Sequence, residues 1–196
     1  LDGDIVSTAK FLAEFIQKPL TTGSLFPSSP HLARTIVQQA RLSDADVVLE
    51  YGPGTGVLTH HILHELPARS KFAAIEINPR FAALFRAAHP GVRLFEDSAE
   101  NVRAICDSMN VKAVDCVISG LPWALFSKEL QVSLLNQMML VLKPGGTFVA
   151  FGYPQSLLLP AARHLAGILP TYFTSVSKTP LVWRNFPPAF VYRCRR

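Results

Sequence analysis

Acidic or glycine-rich elements stand at three places where a strand-like run ends. The first is Glu50-Tyr51-Gly52-Pro53-Gly54-Thr55-Gly56, directly after the apolar run Val47-Val48-Leu49. Glycine in such a turn permits positive φ and lets a ligand lie against the backbone. A Gly-x-Gly-x-Gly is weak by itself. Pro53 also makes it a poor dinucleotide fingerprint, which wants Gly-x-Gly-x-x-Gly and a pyrophosphate at a helix N-terminus. The second place is Glu76-Ile77, about 20 residues beyond the glycine loop, where a carboxylate can accept both hydroxyls of a ribose. The third is Asp97-Ser98-Ala99, where a carboxylate can accept an adenine amino proton. Any one of these acids alone could be an ordinary loop residue. Three such sites at successive strand ends describe one crevice along the edge of an open α/β sheet.

Elements must exist to bring them together, and the sequence alternates strand-like and helix-like segments. Residues 46–50 read as a short buried strand and 55–64 as the helix after it. Residues 71–77 make a second strand, and Pro79 opens a helix in its first turn. Residues 92–95 and 113–119 read as the third and fourth strands. A helix over 127–142 meets the stop signal Lys143-Pro144-Gly145-Gly146, and 147–152 form a fifth strand. The end departs from this rhythm. Runs 174–183 and 189–194 are separated only by Arg184-Asn185-Phe186-Pro187-Pro188, too short for a helix, so an antiparallel hairpin should close the sheet. The division expected is residues 1–45, an N-terminal helix and covering loop, ahead of one α/β unit over 46–196.

Composition narrows the class. With 196 residues, 49% hydrophobic and 17% charged, the chain can bury a sizeable core and is not disordered. No apolar run approaches the roughly 18 residues a spanning helix needs. The net charge of +5 fits nucleic acid, an anionic membrane surface, or neither. Three cysteines without CxxC spacing argue for a reducing cytoplasm, with Cys116 as an inert core thiol in an apolar strand. Nothing reads as a signal peptide.

The glycine loop, Glu76 and Asp97, with the terminal hairpin, resemble the class I S-adenosylmethionine-dependent methyltransferases over nearly the whole chain from Val47 to Cys194. The resemblance implies a Rossmann-like, seven-stranded, mostly parallel sheet with helices on both faces. It also implies that Glu50 faces the methionine amino group while Gly52, Gly54, Thr55 and Gly56 pass under the cofactor. Glu76 and Ile77 would then hold the ribose, and Asp97, Ser98 and Ala99 would frame the adenine. A sulfonium cofactor carries its own leaving group, so transfer needs no metal and the protein mainly positions an in-line attack.

The acceptor should be set by Ser119-Gly120-Leu121-Pro122-Trp123, after the fourth strand. Amine methyltransferases of nucleobases place Asn/Asp-Pro-Pro-aromatic or Asn-Leu-Pro-Tyr here. Gly120 stands in place of the Asn and leaves the carbonyls of Gly120 or Leu121 to receive an amine proton. Ser119 precedes this turn on the cofactor side. Trp123 offers an aromatic face that would favour an ammonium-like centre, or else packs the loop. Three segments together, Gly23-Ser24-Leu25-Phe26-Pro27-Ser28-Ser29, Ser119-Gly120-Leu121-Pro122 and Val182-Trp183-Arg184-Asn185-Phe186-Pro187-Pro188-Ala189, resemble the bacterial phospholipid N-methyltransferases. That family methylates phosphatidylethanolamine towards phosphatidylcholine and is itself similar to the ribosomal RNA adenine dimethylases.

This resemblance implies a monomeric enzyme on the inner face of the bacterial cytoplasmic membrane, with an anionic phospholipid surface as partner and no nucleic acid. Phe26, Ser28, Ser29, Tyr153 and Arg184 are the nominees for holding substrate, with Arg184 on the headgroup phosphate. Ser28 and Ser29 could equally be turn residues or helix caps, and Arg184 a solvated turn arginine. His60, His61 and His64 fall on a helix and are expected at the surface. The amphipathic run 4–18 would be an interfacial helix or one packed on the sheet. Residues 153–170 would be a hydrophobic lid or a core helix. Three other readings stand beside the lipid enzyme: a nucleic-acid adenine dimethylase, a small-amine methyltransferase, and a cofactor-binding module without catalysis.

Overall fold

The computed structural model describes residues 29–196. Its first strand, Val47–Tyr51 (β1), alternates between two cores: Leu49 and Tyr51 enter one apolar cluster and Val48 the other. Val114–Ser119 (β4) does the same, with Val117 in the first cluster and Cys116 and Ile118 in the second. A sheet whose successive side chains are apolar on both faces must be covered on both.

The other strands are Lys71–Ile75 (β2), Arg93–Phe95 (β3), Leu142–Gly152 (β5), Ser175–Lys178 (β6) and Phe190–Arg195 (β7). They pair in the order β3-β2-β1-β4-β5-β7-β6. The first five are mutually parallel, whereas β7 runs antiparallel to both β5 and β6. The α/β class, the parallel sheet and the closing hairpin are therefore as the sequence predicts.

Six α-helices are described: Pro30–Ala40 (α1), Val57–Glu65 (α2), Pro79–Ala88 (α3), Val102–Ser108 (α4), Lys128–Val141 (α5) and Pro160–Tyr172 (α6). Leu32 and Ile36 of α1 and Ile62 of α2 pack on Val48, Ile118 and Val191. On the other face α4, α5 and α6 bring Ile105, Leu135 and Leu169 to Val117 and Phe148. Strand order reverses between β1 and β4, and the loops leaving their C-terminal ends bound the crevice expected at such a switch point. Among the described residues no helix is long and apolar enough to cross a membrane.

Several boundaries move, each for a local reason. Helix α2 starts at Val57 rather than residue 55, because Gly56 adopts φ 87° and caps it. Residues 143–146 do end α5, yet they belong to β5. Val114 pairs with Leu142 and Cys116 with Thr147, so these residues bulge from the ladder, with Gly145 at φ 74°. Run 174–183 is strand only over Ser175–Lys178; the prolyl nitrogen of Pro180 cannot donate to a ladder, and a single Val182–Ala189 bridge resumes the pairing. Residues 153–170 resolve into a short 3-10 turn, Pro154–Leu158, and the packed helix α6 with Ala162, Leu165 and Leu169 buried. All three cysteines are free and buried, and burial pushes the Cys116 thiol far up. The amphipathic run 4–18, Phe26 and Ser28 lie outside the described residues.

Candidate active site

Glu50 is the fourth residue of β1, on the side of Val48, and is fully buried beneath α2. Thr59, in the first turn of α2, donates its hydroxyl to Glu50 Oε2 at 2.6 Å. Glu50 Oε1 is buried and has no hydrogen-bond partner among the described residues. Burial raises this carboxyl from 4.5 to about 8, opposed by the Thr59 bond. An orphaned buried carboxylate oxygen demands a donor, and a cationic one best offsets its desolvation.

The glycine loop runs from that carboxylate towards β2. Gly52 and Gly54 sit at φ 65° and 58°, conformations that disfavour a side chain. A Cβ on Gly54 would meet nothing within 4 Å, so the backbone there is open to an approaching ligand. Its N–H donates to Glu76 Oε2 at 3.1 Å, while Glu76 Oε1 accepts from Asn78 N at 2.9 Å. Glu76 thus fastens the loop to the end of β2; burial raises its carboxyl, against the backbone N–H groups that lower it. Thr55 is exposed at the loop's tip. At the end of β3, Asp97 Oδ1 accepts from Ser98 N at 2.7 Å and Asn101 Nδ2 at 2.8 Å. Gly52, Ile77, Asp97, Ala99, Leu121 and Phe126 line one pocket, joined at its wall by Ser98. Apolar walls with a single carboxylate at the edge suit a flat heterocycle bearing an amino group.

The turn after β4 is pressed against this loop. Gly120 N–H donates to the Tyr51 carbonyl at 2.8 Å, and a Cβ on Gly120 would come within 2.5 Å of the Gly52 carbonyl oxygen. The Leu121 carbonyl accepts from Trp123 N at 3.0 Å, and the Pro122 carbonyl from Leu125 N at 2.9 Å. Trp123 does not offer the open aromatic face expected of it. The residue is 3% exposed, its indole lies edge-on to Phe148 at 5.7 Å, and Nε1 donates to the buried Ser119 Oγ at 2.9 Å. Core packing has taken both its ring and its polar atom, so Trp123 anchors the turn from behind.

On the hairpin side, Ser29 is the N-cap of α1: its Oγ accepts from Leu32 N at 3.2 Å. Its own N–H donates to Asn185 Oδ1 at 2.9 Å. Asn185 Nδ2 donates to the Pro187 carbonyl at 2.7 Å, and its side chain also hydrogen-bonds with Tyr153, whose phenol is raised by burial. Ser29, Tyr153 and the hairpin turn therefore meet at one buried amide, whereas Arg184 is exposed and has no hydrogen bond or ion pair among the described residues. His60 and His64 are exposed and line a surface cleft between α1 and α2.

Sequence reasoning passed over three of these residues. Asn185 stands in the quoted hairpin segment but is outranked there by its charged neighbour. Thr59 carries no signal beyond its place one turn into α2. Gln131 is fully buried, donating to the Trp123 and Ala161 carbonyls at 2.8 and 3.0 Å and meeting His164 Nδ1 at 2.8 Å. A glutamine on a helix gives no hint of such a role. No group of three or more metal-binding side chains occurs among the described residues.

Comparison with known proteins bears on the same elements. Residues 18–99 match the ribosomal RNA adenine dimethylase family, a stretch that includes the glycine loop, Glu76 and Asp97 but ends before the Gly120 turn. The ornithine lipid N-methyltransferase of Singulisphaera acidiphila is 32% identical over 94% of this chain and 94% of its own length. The ribosomal RNA small subunit methyltransferase A of Chlorobaculum parvum is 29% identical over 60% of this chain, which spans only 41% of that protein. In fold, the O-methyltransferase of Bacillus cereus, solved with S-adenosylhomocysteine, superposes with a TM-score of 0.66 at 13% identity, covering 97% of this chain and 91% of that one. At 32% identity over 94% of each chain, the protein belongs with the Singulisphaera lipid N-methyltransferase to one family of class I S-adenosylmethionine-dependent methyltransferases.

Proposed function

We propose that the enzyme transfers a methyl group from S-adenosylmethionine to the amine of a membrane-lipid headgroup, phosphatidylethanolamine or an amino-acid lipid of the ornithine type. The carrying observation is the contact between Gly120 and the Gly52 carbonyl oxygen, which leaves no room for a side chain at the first position of the acceptor turn. Adenine methyltransferases use a side-chain acceptor there. Likeness to a lipid N-methyltransferase over 94% of both chains supports the same reading. The adenine dimethylase family model matches residues 18–99, and a relative of that kind matches 80% of this chain but 44% of its own length.

The cofactor supplies an electrophilic methyl and its own thioether leaving group. In this reading Glu50, with its unpartnered buried oxygen, would hold the methionine ammonium, Glu76 the ribose hydroxyls, and Asp97 the adenine amine. A headgroup amine must lose a proton before it attacks. Since the Leu121 carbonyl already accepts from Trp123 N–H, the Gly120 carbonyl is the nominee to align that amine and direct its proton outward to water. Arg184, exposed at the turn beside Asn185 and without an ion pair among the described residues, is the nominee for a lipid phosphate or carboxylate.

Radiolabelled methyl transfer tests this directly, with vesicles of phosphatidylethanolamine, vesicles of ornithine lipid, free ethanolamine and ribosomal RNA as acceptors. Labelling of either lipid, well above free ethanolamine, is expected. Equal activity on free ethanolamine would sink the lipid assignment. Labelled RNA adenine would restore the dimethylase reading, which the family match over residues 18–99 favours.

A further inference from the structure

Charge is divided unevenly along this chain. All 14 acidic residues precede Leu130, and from there to Arg196 the sequence holds seven lysines and arginines with no aspartate or glutamate. This acid-free stretch builds both turns on the hairpin side of the crevice edge. Gly152, the last residue of β5, pairs with Phe190, the first of β7, so the segment after β5 and the segment before β7 leave the sheet together. The Tyr153–Asn185 hydrogen bond joins them. Large apolar side chains stand in solvent on each: Leu158 is 81% exposed and Leu159 41% on the first, and Trp183 is 75% exposed on the second. An exposed arginine flanks each group, Arg163 in the first turn of α6 and Arg184 beside Trp183.

We propose that this rim is the surface by which the enzyme docks on an anionic lipid bilayer, with Leu158 and Trp183 entering the interface and Arg163 and Arg184 against the lipid phosphates. The inference rests on the lipid-amine reading above and adds the surface that meets the membrane. Apolar tips flanked by cations on an acid-free segment match what a bilayer surface offers: an apolar boundary beneath a layer of negative charge. Tryptophan prefers that boundary, where its ring is buried and its N–H remains near water. The rim also borders the edge at which the Gly120 turn lies, so docking would set a headgroup beside the acceptor loop.

Tryptophan emission tests it without relying on turnover. The chain has two tryptophans, and Trp123 is buried in the core, so a change on adding vesicles reports Trp183. With phosphatidylglycerol vesicles the emission should shift to the blue and be quenched by brominated acyl chains. Leu158→Asp should reduce the vesicle-bound fraction about tenfold, while methyl transfer to a dissolved short-chain lipid amine stays as in the parent. The proposal is overturned if vesicles bind without altering Trp183, if Leu158→Asp binds as the parent does, or if single-stranded RNA at equal phosphate produces the same shift. The two readings fail separately. Docking through Trp183 without methylation of any lipid amine removes the substrate assignment and keeps the rim; methylation of dissolved lipid without docking does the reverse.

Discussion

Gly120 and Gly52 stand so close that a Cβ on the first would lie 2.5 Å from the carbonyl oxygen of the second. The loop proposed to lie under the cofactor and the turn proposed to receive the methyl acceptor therefore share a wall one backbone thick. No side chain separates them, and a shift in either is transmitted to the other. This geometry explains why glycine rather than an amide residue occupies position 120.

Gly120→Ala should consequently damage cofactor binding as well as turnover. Backbone atoms must move to admit the methyl group, at a destabilisation of about 1–3 kcal/mol. Gly91→Ala is the matched control, since a Cβ there meets nothing within 4 Å. Thermal melts and calorimetric titration with S-adenosylhomocysteine check this. If Gly120→Ala binds the product as tightly as the parent, the two loops are not coupled.

Glu50 should give the protein a pH-dependent stability. Its carboxyl is held at about 8 in the folded state against 4.5 ordinarily, so between those values the native state keeps a proton that the unfolded chain has released. Stability should then fall as pH rises from about 4.5 towards 8 and level off above. Glu76, raised in the same direction, adds to the slope. Glu50→Gln should flatten the profile in part, and weaken product binding by about 10- to 100-fold, the worth of a charged hydrogen bond. Urea denaturation across this range reads the first effect and calorimetry the second; a parent profile that is flat or rises with pH would refute the assignment of burial as the dominant cause.

How much of this was legible in the sequence depended on whether the signal was local. The Gly-x-Gly-x-Gly loop, Glu76 and Asp97 each sit at the end of an apolar run, and parallel pairing of β1, β2 and β3 suffices to align them. The hairpin was legible because five residues cannot hold a helix. What escaped depended on packing across the sheet. Trp123 looked like a free aromatic face until Phe148 of β5 and Ser119 of β4 claimed its ring and its nitrogen. Asn185 reaches 156 positions back to Ser29, and no periodicity records that distance.

Trp123→Phe separates the anchoring role from a catalytic one. Phenylalanine keeps most of the packing against Phe148 and Phe126 but leaves Ser119 Oγ without its indole donor. A stability loss of about 1 kcal/mol or somewhat more is expected, with kcat changed in proportion to loosening of the turn and not abolished. Loss of more than about a thousandfold in kcat with an unaltered melting temperature would instead indicate direct contact with the reacting centre.

Asn185 and Arg184 are neighbours with opposite expected phenotypes. Asn185→Ala removes one amide that accepts from Ser29 N–H, donates to the Pro187 carbonyl and hydrogen-bonds with Tyr153, leaving buried polar groups unpaired. A loss of about 1–3 kcal/mol in stability should follow, together with a raised KM for the acceptor, since the hairpin turn and the start of α1 are no longer held in register. Arg184→Ala removes an exposed cation that has no partner among the described residues, so the melting temperature should not move. Its effect should fall on KM for anionic or zwitterionic lipid, increase as ionic strength is lowered, and vanish for an uncharged amine acceptor. Kinetics of both variants at two salt concentrations distinguish the outcomes: a salt-independent KM for Arg184→Ala, equal to the parent's, would remove Arg184 from substrate binding and leave Asn185 as the hairpin's only contribution to the site.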